Sequence, residues 1–326
     1  LLGNKDSYDL HGRVNFINRL NLELSKIATT RDDLYLIDLD YISSDYGLKK
    51  WSDPFYWYMY KYALAVPAIP YLSFNVANVI KSIYGKNKKG LVLDLDNTLW
   101  GGVVGDDGVN EICIGKEESE GQAFFDFQKY IKLHKDLGVL LNVDSKNDEK
   151  NALAGLNHPE GVLKPEDFIC IKANWNSKDL NFKEIAAELN VLPESLVFVD
   201  DNPAERNIVT SQFNNVSAPE ISDIAKSIEL IDRSGFFETV QLSKDDLKRN
   251  EMYQENVKRT NFQKTFLNYA DYLDSLNMKA TIKPFDPLYI ERIAQLTNKS
   301  NQFNLTTKRY TKEEIEQIAL DSSYIT

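Results

Sequence analysis

The sequence predicts an α/β protein built around a parallel sheet with helices on both faces. Residues 91–235 alternate short apolar runs with helical patterns, which is typical of parallel sheets because helices connect the neighbouring strands. Polar side chains follow these runs, and such residues meet beyond the carboxyl ends of parallel strands. The chain of 326 residues is also long enough for two domains.

The central stretch runs from Leu91 to Gly102. Leu91–Leu93 is predicted to be a buried strand, and Asp94 and Asp96 leave its end on one side, because alternate residues of an extended chain share a face. Two carboxylates this close repel each other unless a cation lies between them or one holds a proton. Taken alone, the pair could equally be a strand-end acid and a helix cap.

Matching polar residues after three later apolar runs favour a shared site. The later strands are predicted at residues 139–143, 168–171 and 196–199. The polar residues that follow them are Ser145, Lys178, Asp200 and Asp201. Each alone could be a helix cap, a surface lysine or a turn, but together they lie at the strand ends of one predicted sheet.

These residue types suit phosphoryl transfer. Asp94 can attack phosphorus as an ionised carboxylate, and Asp96 can protonate the leaving group and then deprotonate water. Ser145 can donate its hydroxyl to a phosphoryl oxygen, and Lys178 can offset the negative charge.

The acids also predict a Mg²⁺ site, because Mg²⁺ prefers oxygen ligands and one or two protein carboxylates. The predicted ligands are the side chains of Asp94, Asp200 and Asp201 and the backbone carbonyl of Asp96. Either Asp200 or Asp201 could be the direct ligand, and we favour Asp201.

Three segments are predicted: residues 1–88, an N-terminal α/β segment; residues 89–235, the catalytic domain; and residues 236–326, a C-terminal α+β segment. The helices outside the core are predicted at 12–28, 69–84, 247–266 and 312–320, and the strands at 34–39 and 281–284. Asp38 and Asp40 are interpreted as strand-end acids, and the aromatic run 51–58 as packing against the next domain. Residues 103–115 are predicted to form a β-hairpin flap.

The charge and composition of the chain argue against several classes of function. The net charge of −11 argues against binding to nucleic acid or to an anionic membrane, and no apolar run is long enough to span a bilayer. Two cysteines in apolar contexts, Cys113 and Cys170, suit a reducing compartment, and we expect a cytoplasmic protein. The three histidines are expected to lie outside the site. A start at Leu1 without Met predicts a fragment of a longer chain.

At this point the residues resemble a known family. Residues 94–98 resemble the first motif of the haloacid-dehalogenase-like (HAD) phosphotransferases, and Ser145, Lys178 and the 200–201 pair match its second, third and fourth motifs. Longer strings resemble the FkbH-like subfamily; they are residues 93–102, 144–148, 199–206 and 297–310.

The resemblance implies a Rossmann-like HAD core, Mg²⁺ and an aspartyl-phosphate intermediate. It also implies substrate contacts from Thr98, Lys146 and Asn147, beside those of Ser145 and Lys178. Residues 1–88 resemble the tail of a hydrolase-like domain, and the last segment resembles a helical linker and the start of an acyltransferase-like domain.

The function predicted is a Mg²⁺-dependent phosphatase or phosphotransferase acting on a phosphorylated small acid or a carrier-linked substrate. The alternative is a glyceryl or acyl transfer module that loads an acyl carrier protein. Relatives of that kind commonly have a Cys before the second-motif Ser, where this chain has Asp144, which weakens the transfer alternative. A non-catalytic scaffold is disfavoured because the set of acids is intact. No large cap domain is expected, so the site should be open.

Overall fold

The computed structural model describes residues 2–31, 33–221, 223–240, 242–266, 268–299, 306 and 308–324. The chain divides into two compact units, Leu1–Thr260 and Asn261–Thr326. The division of the chain at residues 88 and 235 stays a prediction.

The described part of the N-terminal segment is helical. Its helices are α1 (Arg13–Ala28), α2 (Leu39–Tyr46), α3 (Leu48–Trp51), α4 (Pro54–Tyr60) and α5 (Ile69–Ile83). The two helices predicted here are confirmed as α1 and α5. No residue of α1 is buried.

The strand predicted at residues 34–39 is wrong. The side chain of Asp38 accepts a hydrogen bond from the backbone N–H of Tyr41 and caps α2, so Asp38 and Asp40 begin a helix rather than end a strand. The prediction that the aromatic run 51–58 packs against the next domain is also wrong in part. Trp51 packs with Ile42 and Ala68 inside this segment, whereas the aromatic side chains of α4 are largely exposed.

The core is a four-stranded parallel sheet in the order β3-β2-β1-β4. Its strands are β1 (Gly90–Leu93), β2 (Leu140–Ser145), β3 (Cys170–Ala173) and β4 (Leu196–Val199). Its helices are α6 (Val104–Asp107), α7 (Ser119–Asp136), α8 (Glu149–Leu156), α9 (Lys178–Glu188), α10 (Pro203–Gln212) and α11 (Ile224–Arg233). The predicted parallel α/β fold is confirmed.

Both faces of the sheet are covered. Leu91 and Leu93 of β1 belong to one apolar cluster, whereas Val92 between them belongs to another. This alternation follows from the two-residue period of a strand. All four strands therefore end at one edge of a sheet that is buried on both faces.

The segment after β1 differs from the predicted hairpin flap. Residues 103–107 contain the short helix α6, and the extended pairing is a single bridge between Gly101 and Cys113. The glycines and aspartates here form helical and bent turns, not two paired strands.

The last stretch of the described chain is also helical. Its helices are α12 (Lys244–Leu247), α13 (Arg249–Lys264), α14 (Tyr269–Ser275), α15 (Ile290–Lys299) and α16 (Lys312–Leu320). Ile290, Ala294 and Ile315 form the small core of the second unit.

The strand predicted at 281–284 is wrong, because these residues are coil. The FkbH-like string around residues 300–305 lies outside the described residues. Every described helix is too short or too polar to cross a bilayer.

Candidate active site

The predicted site residues collect at the carboxyl edge of the sheet. β1 ends at Leu93, which pairs with Val143 of β2 and Val199 of β4. Asp94 and Asp200 therefore leave neighbouring strands side by side, and Ser145 ends the strand on the other side of β1. Parallel strand order, rather than closeness in the sequence, brings these residues together.

Three carboxylates form the centre of the site. One oxygen from each of Asp94, Asp200 and Asp201 lies within 4.8 Å of the others. Asp200 is fully buried, and Asp94 is 8% exposed. A set of carboxylate oxygens with this spacing is suited to Mg²⁺, which prefers oxygen ligands.

Lys178 neutralises part of this charge. Its Nζ lies 2.7 Å from Oδ1 of Asp94 and 2.6 Å from Oδ2 of Asp200. Burial alone would lower the pKa of Lys178, but Asp94 and Asp200 outweigh burial and raise it. The lysine therefore stays charged although it is only 2% exposed.

One ammonium does not balance three carboxylates. Burial raises the pKa of Asp94, although Lys178 acts in the opposite direction. Burial and the charge of Asp94 raise the pKa of Asp200, and burial and the charge of Asp200 raise that of Asp201. The carboxyl groups thus favour an added proton or cation, so the residues present fit a divalent metal ion.

The remaining predicted residues surround this centre. Thr98 is fully buried, its hydroxyl lies 3.4 Å from Oδ1 of Asp201, and the backbone N–H of Asp201 donates to that hydroxyl at 3.2 Å. Thr98 therefore orients Asp201, and a contact between Thr98 and a substrate stays a prediction. Ser145 is 1% exposed at the end of β2. Lys146 lies further out and pairs with Glu205 of α10 at 2.7 Å.

Asp96 and Asn147 form a second group beside the acids. Asn147 donates from Nδ2 to Oδ2 of Asp96 at 2.8 Å, and the indole Nε1 of Trp100 donates to Oδ1 at 2.9 Å. The contact of Asn147 is therefore with another protein side chain. Trp100 was missed, because nothing in the sequence pattern marks a tryptophan as a partner of Asp96.

Arg206 was missed as a support for the fourth motif. Its guanidinium donates to the backbone carbonyls of Asp200 and Asp201, each at 2.7 Å. Asn202 caps α10 by accepting from the N–H of Ala204. The Asn-Pro pair that begins α10 predicts this helix start, and it could have indicated that Arg206 lies one turn further on.

Asp144 lies under the site. It is fully buried, and its Oδ1 accepts a hydrogen bond of 3.0 Å from Asn181. Burial raises the pKa of Asp144 to about 7, although Lys178 and Asn181 act against this. At neutral pH this carboxyl group is therefore partly protonated.

This chain was compared with protein-family models and with solved structures. Residues 10–81 match the family model "FkbH, N-terminal domain". The chain is also similar to a solved structure, the N-terminal part of the protein BF1531 from Bacteroides fragilis, described as containing a phosphatase domain complexed with Mg. The identity is 36% and the TM-score 0.70, over 74% of this chain and 65% of that one.

The chain resembles the FkbH family over residues 10–81. This match, together with the similarity to the Mg-bound phosphatase-domain structure, confirms the predicted resemblance. The chain spans slightly less than two thirds of the solved neighbour. The metal in that neighbour is the one predicted here for the three carboxylates. A search of curated proteins found no match.

Proposed function

We propose that this chain is a Mg²⁺-dependent phosphatase or phosphotransferase that works through an aspartyl-phosphate intermediate. The observation that carries the proposal is the pairing of Asp94 with Lys178, beside Asp200 and Asp201. The Mg-bound phosphatase domain of the structural neighbour supports it.

The proposed reaction has two steps. In the first, Asp94 attacks phosphorus, the bond from phosphorus to the ester oxygen breaks, and Asp96 gives its proton to that oxygen. In the second, water attacks phosphorus and gives a proton to Asp96, and the bond between phosphorus and Asp94 breaks. Inorganic phosphate leaves, and both residues return to their starting states. Lys178 holds Asp94 in place and offsets the charge of the phosphoryl group.

The proposed metal ligands are Asp94, Asp201 and the backbone carbonyl of Asp96, with Asp200 next to them. A divalent cation there would neutralise charge on the phosphoryl oxygens. Ser145 and Lys146 are proposed to contact a phosphorylated small molecule, either a small acid or a carrier-linked group.

The experiment that tests the proposal is replacement of Asp94 by Asn. We expect phosphate release to fall by ~10³-fold or more, since a nucleophile is removed, while thermal unfolding stays cooperative. The matched control is Asp126→Asn on the exposed surface of α7, which should keep full activity. Intact-mass measurement should detect a phosphorylated protein in the control alone. Retained turnover in Asp94→Asn would contradict the proposal.

The loading of an acyl carrier protein is the less supported alternative. Asp144 stands where relatives of the transfer kind commonly have a cysteine and is fully buried, and it has no sulfur atom that could carry an acyl group as a thioester. Incubation with a carrier protein and a phosphorylated glycerate discriminates between the two, because a mass increase on the carrier would favour transfer over hydrolysis.

A further inference from the structure

The carboxylate of Asp96 is held by three hydrogen-bond donors. Its Oδ1 accepts from the indole N–H of Trp100 at 2.9 Å and from the backbone N–H of Val104 at 3.0 Å. Among the described residues, one donor reaches its Oδ2, the Nδ2 of Asn147 at 2.8 Å. Each carboxylate oxygen can accept about two hydrogen bonds, so Oδ1 is saturated and Oδ2 keeps one free position.

The ring of Trp100 is fixed by its surroundings. It is fully buried and packs against Gly155 of α8, where an added Cβ would lie 2.7 Å from two atoms of the ring. The next residue, Gly101, is tied to Cys113 by two backbone hydrogen bonds of 3.0 and 2.8 Å. The indole N–H therefore has little freedom to leave Asp96.

The amide of Asn147 is also fixed. Its Oδ1 accepts from the backbone N–H of Asp148 at 2.8 Å, so the opposite end of the amide, Nδ2, must face Asp96. The residue is 4% exposed. Two side chains from different elements thus hold the two oxygens of one carboxylate.

We propose that Trp100 and Asn147 are positioning residues that make Oδ2 of Asp96 the oxygen that carries the transferred proton. This inference rests on the proposed function, in which Asp96 is the acid and base. When the ester bond breaks, its electron pair stays on the leaving oxygen and the proton on Oδ2 moves to it. Oδ1 takes no part, because Trp100 and Val104 occupy it.

A positioning role has a consequence that a packing role lacks. An alkyl phosphate has a poor leaving group that needs the proton, whereas p-nitrophenyl phosphate has a good leaving group that does not. The value of kcat/KM reports the steps up to formation of the aspartyl phosphate. Misplacing the acid should therefore lower kcat/KM for the alkyl phosphate and spare the nitrophenyl ester.

The test uses Trp100→Phe, which removes the indole N–H and keeps an aromatic ring. We expect kcat/KM for glycerol phosphate to fall by ~10-fold or more, within the range of general acid catalysis, and that for p-nitrophenyl phosphate to change by less than about 3-fold. Trp175→Phe is the matched control, because its indole N–H donates to Asp148 rather than Asp96. We expect this control to keep the wild-type kcat/KM for both substrates.

Two further variants test the same inference in case Trp100→Phe does not fold. Asn147→Ala should give the same substrate-dependent loss without any change to the tryptophan. Gly155→Ala should give it too, because the added Cβ would lie 2.7 Å from two atoms of the indole ring and displace that ring. Combining Gly155→Ala with Trp100→Phe should recover thermal stability, because the ring atoms that clash are gone.

The outcomes separate this inference from the proposed function. Equal losses for both substrates, or no loss in folded Trp100→Phe and Asn147→Ala proteins, would overturn the positioning roles and leave the phosphatase proposal intact. A wild-type chain that releases phosphate from neither substrate would overturn both.

Discussion

The ammonium of Lys178 lies 2.7 Å from Oδ1 of Asp94 and links it to Asp200, 2.6 Å away on the other side. The lysine is the first residue of α9, and the two acids follow β1 and β4. One buried cation thus joins three elements that meet at the carboxyl edge of the sheet. Its removal should therefore affect stability as well as phosphoryl transfer.

Replacing Lys178 by Met should destabilise the fold. The change leaves buried carboxylates without their partner, which typically costs about 3–5 kcal/mol. The free energy of unfolding, measured with urea at pH 7, should fall by that order. The loss should be smaller at pH 5, because burial raises the pKa of Asp94 and Asp200 and both then take up protons more easily. Lys183→Met, at an exposed position of α9, is the control; an equal loss in both variants would contradict the argument.

Replacing Thr98 by Val should weaken Mg²⁺ binding. The hydroxyl of Thr98 contacts both the side chain and the backbone N–H of Asp201, and loss of such a support typically costs 10–100-fold in metal affinity, so we expect a drop of about 10-fold. Titration calorimetry with Mg²⁺ measures it. Thr98→Ser keeps the hydroxyl and should bind close to wild type. Equal affinities for the Val and Ser variants would show that the hydroxyl does not orient the ligand.

Replacing Asp144 by Asn should flatten the pH dependence of stability. Burial raises the pKa of Asp144 from 3.8 to about 7, so the folded chain binds a proton that the unfolded chain has already lost. The stabilisation is complete below pH 3.8 and disappears as the pH rises towards 7. At about 1.4 kcal/mol per pKa unit it amounts to roughly 4 kcal/mol.

The Asn variant should accordingly be more stable than wild type above pH 7. Within the described residues Oδ2 of Asp144 and Oδ1 of Asn181 are both buried without a hydrogen-bond partner, and an amide at 144 supplies donors. Urea unfolding from pH 4 to 8 checks this. Asp167→Asn is the comparison, because Lys135 and Lys132 outweigh burial and lower the pKa of Asp167. The ionised Asp167 therefore stabilises the fold as the pH rises, which is the opposite of the effect at Asp144. Parallel curves for the Asp144 variant and wild type would contradict the prediction.

Replacing Gln128 by Leu should destabilise the core. The Gln128 amide donates to the carbonyl of Leu99 at 2.7 Å and accepts from the N–H groups of Val162 and Leu163 at 2.9 and 3.0 Å. Loss of the amide leaves these groups buried and unpaired, at about 1–3 kcal/mol each, so the free energy of unfolding should fall by more than about 2 kcal/mol. Gln122→Leu, exposed on the same helix, should change it little.

The core could be predicted because local and long-range signals agree there. β1 and β4 are continuous apolar runs, as buried parallel strands require, and the acids follow them directly. The sequence pattern failed at Leu34–Leu39, where an apolar run precedes an aspartate that caps a helix. A run this short does not distinguish a strand from the approach to a helix.

The contacts within the site were less predictable than its members. Asp94, Asp200 and Asp201 could be grouped from strand order alone. The bond from Trp100 to Asp96 depends on how the chain turns after β1 and on the space that Gly155 leaves. Such a contact requires side-chain geometry, which no local periodicity encodes.

The hydrogen bond between Thr98 and Asp201 joins residues 103 positions apart. Closing so long a stretch of chain is slow compared with forming local helices. During synthesis the ribosome makes β1 and Asp94 long before Asp200 and Asp201, the other two carboxylates of the centre. A nascent chain that ends before residue 200 carries one of these three carboxylates and lacks the other two, so we expect it not to bind a divalent ion.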